Sequence, residues 1–105
     1  MIEELVGVNV WTEDLERLLI FYRDVLGLRL HHHHHGNFAN FVFGHIRLNL
    51  GWHDMVQGRA SDPYRIMINL GVEFIREPEQ EIWGGWVSTL LDPDGNTLQL
   101  LQGAD

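Results

Sequence analysis

Residues 86–102 read WVSTLLDPDGNTLQLLQ. Two runs rich in β-branched and apolar residues flank the break DPDGN. Pro93 is preset for an early turn position and Gly95 can take a positive φ, so the break predicts a tight turn between two strands. In the second run Leu98 and Leu100 fall opposite Thr97, Gln99 and Leu101, which gives one apolar face and one mixed face. Ser88, in the first run, has no clear side.

Further upstream, YRIMINL (64–70) predicts another strand, with Ile66, Ile68 and Leu70 opposite Arg65, Met67 and Asn69. GVEFIREP (71–78) predicts the next, with only Gly71 as punctuation between them. The N-terminal half opens with LVGVNVW (5–11), where Val6, Val8 and Val10 alternate with Gly7, Asn9 and Trp11. A helix follows, with Thr12 as the expected N-cap and Glu13 and Asp14 in the first turn. Leu15, Leu18, Leu19, Tyr22, Val25 and Leu26 have helical spacing, and Gly27 suits the left-handed residue that ends it. LRLHHHHH (28–35), NFANFVFG (37–44) and HIRLNLGW (45–52) then predict an antiparallel meander. The order is β-α-β-β-β in residues 1–52, a polar linker over 53–63, and β-β-β-β in 64–105. This is an α+β chain expected to form one domain of two modules, the second without a helix.

Composition narrows the function. The 105 residues carry 15 acidic against 7 basic side chains, a formal charge of −8, which disfavours a nucleic-acid partner. Such charge mildly favours cationic partners or simply serves solubility. With no cysteine there is no thiol nucleophile, disulfide or Cys-type zinc site. The acidic start MIEELVGV does not read as a secretory leader, and no apolar run approaches the ~20 residues that span a bilayer, so a cytoplasmic protein without a membrane partner is expected.

EDLERLLIFYRDVLGLRL (13–30) and GVEFIREPEQEIWGGWVSTLLDPDGNTLQLLQ (71–102), in this order and spacing, resemble the vicinal oxygen chelate superfamily, the glyoxalase, bleomycin-resistance and extradiol-dioxygenase group. The resemblance implies two βαβββ modules whose curled sheets enclose a ligand cavity. It also implies metal ligands on the first and last strand of each module. Those positions fall here on Gly7, Asn49, Arg65 and Gln99. Glycine has no donor atom, arginine is a fixed cation, and amides are weak ligands for transition metals. A metal-free member is therefore expected, with no cofactor. His31 to His35, with His45 and His53, could bind nickel or zinc opportunistically, since His31, His33 and His35 would share a strand face. That strand carries no ligands in the superfamily, and the acids nearest in sequence are Asp24 and Asp54.

What remains is a recognition surface. Asn9, Trp11, Arg47, Asn49, Arg65, Met67, Asn69 and Gln99 are expected to face the cavity, with Trp83 and Trp86 near its mouth. Amides, guanidinium groups and indoles suit a planar or polar organic ligand. The competing arrangement pairs Arg47 and Arg65 with acids and leaves the tryptophans as core. No nucleophile–base pair or phosphate loop is visible, since no helix follows WGGW. Binding without catalysis is the leading expectation. A metal-dependent lyase, isomerase or dioxygenase with unusual ligands, such as His53 or the histidine run, and a degenerate assembly module are the alternatives.

The absent second helix raises a question of reach. One or two residues cover at most ~7 Å, whereas crossing a four-stranded sheet takes ~14 Å. The sequence thus predicts strands exchanged between subunits of an intertwined homodimer or larger homo-oligomer. Ile66, Ile68, Leu70, Leu98 and Leu100 would lack a covering helix.

Overall fold

The computed structural model describes residues 1–72, 79–80 and 86–102. Two compact units, Met1–Gly58 and Arg59–Asp105, each hold a four-stranded sheet. The boundary falls inside the expected linker.

In the first unit, β1 (Gly7–Thr12), β2 (Leu30–His34), β3 (Phe38–Phe43) and β4 (Ile46–Trp52) lie in the order β1-β4-β3-β2. β1 runs parallel to β4, with Val8 beside Leu48 and Val10 beside Leu50. Helix α1 (Leu15–Ile20) makes the crossover that this pairing needs and packs on β4. Leu15, Leu18, Leu19 and Tyr22 meet Val10, Ala39, Phe41, Leu48 and Leu50 in a buried core. Gly44 has a φ of 60°, and the two-residue loop Gly44–His45 joins β3 to β4 so that Phe43 faces Ile46.

Three local expectations change. Asp14, not Thr12, caps the helix, its carboxylate accepting from the Arg17 N–H at 3.1 Å. Thr12 closes β1, where its hydroxyl accepts from the Asp14 N–H. Second, α1 continues as a π-helical turn over Phe21–Val25, with the Leu26 N–H bonded to the Phe21 carbonyl. That wider turn breaks the helical spacing, so Val25 is exposed while Tyr22 is buried. Third, β2 bulges between Leu30 and His32, so Leu30 pairs with Phe41 and His33 with Ala39. The extra residue puts Leu30 and His33 on the helix-covered face and His32 on the other. His31, His33 and His35 therefore do not form one regular row.

In the second unit, β5 (Met67–Gly71), β6 (Glu79–Gln80), β7 (Trp86–Leu91) and β8 (Thr97–Gln102) lie in the order β5-β8-β7-β6. β5 is parallel to β8 and the remaining pairs are antiparallel. The sheet closes within one chain. The expected strand over 71–78 lies, beyond Val72, outside the described residues.

The β7–β8 turn is held by Asp92, which is buried. Its carboxylate accepts from the Asp94 N–H at 2.9 Å, the Asn96 N–H at 2.9 Å and the Asn96 side-chain amide at 2.8 Å. Gly95 takes its positive φ of 81° here. The former linker packs on the same turn: the Ala60 N–H bonds to the Asp94 carbonyl, Arg59 to the Pro93 carbonyl, and the Thr97 hydroxyl to the Pro63 carbonyl. Residues 59–63 thus belong to the second unit. Asp92→Ala leaves these buried and part-buried donors unmatched and should lower stability by roughly 2–3 kcal/mol in urea unfolding. A loss below ~0.5 kcal/mol, the size of an ordinary surface change, would show that the carboxylate does not organise the turn.

Candidate functional site

The register of the first sheet places polar side chains in one row on the face away from α1. Asn9 lies beside Asn49, Asn49 beside Asn40, and Asn40 beside His32. The Asn49 side-chain amide donates to Asn9 Oδ1 at 2.8 Å. Asn40 Oδ1 is buried and has no hydrogen-bond partner among the described residues. An unsatisfied buried carbonyl costs about 1–3 kcal/mol, so it marks a place where a donor is wanted.

Aromatic groups flank the row. Trp11, half exposed, lies across Gly51, and a Cβ at position 51 would stand 2.5 Å from its ring. Trp11 also meets His53 edge-on at 5.5 Å. On β3, Phe38 stacks with His32 at 5.5 Å and with His34 at 5.9 Å. Arg47 is on the same face, beside Gly7, and makes no ion pair or hydrogen bond through its side chain among the described residues. Among the described residues, no acid pairs with Arg47.

The second unit repeats the pattern in shorter form. Asn69 lies beside Gln99, and Gln99 beside Thr89, with the Gln99 amide 3.5 Å from the Thr89 hydroxyl. Met67 shares this face, beside Thr97. Arg65 does not. It precedes β5, is exposed, and pairs with Asp62 at 3.1 Å. Trp83 lies outside the described residues, and Trp86 enters only as the first residue of β7.

The sequence matches no protein-family model and no curated protein. Solved structures do match. A lactoylglutathione lyase from Agrobacterium tumefaciens superposes with a TM-score of 0.69 at 18% identity, over 98% of this chain and 96% of that one. A glyoxalase/bleomycin resistance protein/dioxygenase family enzyme from Burkholderia phytofirmans gives 0.72 at 17% identity, over 95% and 98%. A glyoxalase/dioxygenase from Nostoc punctiforme gives 0.71 at 14% identity, over 97% and 92%. The fold is that of the vicinal oxygen chelate superfamily.

The superfamily's metal positions can now be placed by register. Gly7 pairs with Arg47, and the corresponding place in the second unit is Met67, beside Thr97, because Asn69–Gln99 matches Asn9–Asn49. Arg65 is thus two residues out of that register. Gly7 offers no ligand atom, and a Cβ there would stand 3.1 Å from the Arg47 carbonyl oxygen. Asn49 already donates to Asn9, and in the second unit a thioether at Met67 is a soft ligand. These residues do not fit a divalent metal of the superfamily kind. His53, the proposed substitute, accepts the Met55 N–H through Nδ1 at 3.1 Å. Its 3.4 Å approach to Asp54 therefore involves a nitrogen already in use. Among the described residues, the group of His and acid side chains that converges as a metal site does so elsewhere, at Glu16, His33 and His35.

Asn40 and Thr89 were not anticipated as site residues. The signal for Asn40 was present: a two-residue turn at Gly44–His45 dictates that Asn40 sits beside Asn49. Gly51→Ala should force Trp11 off the sheet and destabilise the chain by about 1–3 kcal/mol. A thermal melt and the near-UV circular dichroism of the tryptophans check this, and unchanged spectra would contradict the contact.

Proposed function

We propose that the chain binds a small, planar, polar organic molecule on the helix-free face of its first sheet. The observation that carries this reading is the buried, partnerless Oδ1 of Asn40 within the Asn9–Asn49–Asn40–His32 row. A ligand N–H or O–H satisfies that oxygen, Trp11 and Phe38 offer ring surface, and Arg47 meets an anionic or carbonyl group. Amides exchange hydrogen bonds without transferring protons, so the row favours sequestration over turnover and needs no metal. This reading does not include the glyoxalase or dioxygenase chemistry named for the structural neighbours, because Gly7, Asn49, Arg65 and Gln99, where the resemblance implies metal ligands, and Met67, which the register puts in place of Arg65, are poor ligands for a divalent transition metal.

A thermal-shift screen with small aromatic carboxylic acids and cationic antibiotics, followed by calorimetric titration of the best binder, tests this. Saturable binding at one site is expected, with Arg47→Ala and Asn40→Ala each weakening it at least about tenfold, or 1.4 kcal/mol. No saturating compound, or binding undiminished in both variants, overturns the reading.

We also infer a homo-oligomer in the cytoplasm. Ile66 is exposed, and Ile68, Leu70 and Leu100 are only half-buried on one face of the second sheet. Such a patch favours a second copy. Light scattering should give at least twice the 12.2 kDa chain mass; a monodisperse monomer would remove the proposal.

A further inference from the structure

The histidine run is divided by the β2 bulge. His32 and His34 stack on Phe38 on the helix-free face, while His33 turns to the covered face beside Ala39. There the first turn of α1 brings up Glu16. His33 Nε2 stands 3.5 Å from Glu16 Oε1, and the rings of His33 and His35 are 4.7 Å apart between centroids. One ligand atom from each of Glu16, His33 and His35 lies within 4.8 Å of the others.

His33 Nε2 is the second partnerless buried polar atom among the described residues. At 3.5 Å its approach to Glu16 is long for an N–H···O bond. It matches a different arrangement better: two ligands bound at ~2.1 Å to one tetrahedral ion stand ~3.4 Å apart. The acids nearest in sequence do not supply the carboxylate. Asp24 is held by Arg23 through two bonds, at 2.8 and 3.0 Å, and hydrogen bonding to that guanidinium lowers its pKa below the ordinary value. Asp54 lies beside His53. Glu16 is distant in sequence and arrives only because α1 crosses the sheet.

We propose that Glu16, His33 and His35 bind one divalent transition-metal ion of the zinc class. Two imidazoles and one carboxylate suit such an ion, and the exposure of Glu16 and His35 leaves a coordination position open to water. The positive end of α1 opposes a cation at its first turn, so the charge on Glu16 is essential to the site. The site lies on the opposite face of the sheet from the proposed organic ligand and does not depend on that reading.

The test titrates zinc chloride into protein purified without an affinity tag, followed by calorimetry and by the thermal midpoint. Cobalt(II) absorption reports the ligand field. One zinc per chain is expected, together with a rise in Tm. Glu16→Gln and His35→Asn change exposed side chains, and each should weaken binding by more than the 10–100-fold typical of a lost outer-shell partner. The double variant His31→Asn/His34→Asn should bind as the native chain does, which separates a built site from a generic histidine run. Unchanged affinity in Glu16→Gln, equal loss in the His31/His34 double variant, or no stoichiometric zinc overturns the proposal. Metal-free circular dichroism of each variant confirms that the comparison is made on folded protein.

Discussion

In each unit the first strand lies parallel to the last, with Asn9 beside Asn49 and Asn69 beside Gln99. This pairing is the constraint from which the remaining features follow. Parallel neighbours cannot be joined by a hairpin, so the chain must leave the sheet, cross and return. In the first unit that excursion is α1, and the face it covers becomes the core of Leu18, Leu19, Tyr22, Phe41 and Leu50. The opposite face is left to polar side chains, and the antiparallel strands carry the row outward to Asn40 and His32.

Here amides occupy Asn49 and Gln99, and both are spent on neighbours, Asn9 and Thr89. Amide pairs across strands are neutral, and breaking one in favour of a metal would lose a hydrogen bond for a weak carbonyl ligand. The organic ligand proposed above would use the guanidinium of Arg47 and the Asn40 oxygen, neither of which is matched among the described residues. The proposed zinc-class site lies on the other side of the sheet, where His33 and Glu16 meet.

Much of this was legible from residue order. The Val8–Val10, Leu48–Leu50 and Leu98–Leu100 alternations identify their faces, and Asn9, Arg47, Asn49, Asn69 and Gln99 take the face expected of them. Arg65 did not, because the strand begins at Met67 and the preceding arginine pairs locally with Asp62. The stretch from Gly71 onward was harder to read, because strand starts are poorly marked when apolar residues run on without a turn signal.

By itself the sequence determined the β-α-β-β-β order, the DPDGN turn and the residue types on each strand face, because side-chain alternation and turn chemistry are local properties. It also determined that Gly7, Asn49 and Gln99 are poor metal ligands. Tertiary structure alone decided that, among the described residues, Asn40 is left with a buried, unmatched oxygen and Arg47 with no ion pair. It likewise decided the β2 bulge, and with it which histidines face the helix. Glu16 and His33 are distant in sequence, and their meeting depends on how α1 packs across β4 once the core closes. That packing is set by the sum of many apolar contacts, which no short stretch of sequence contains.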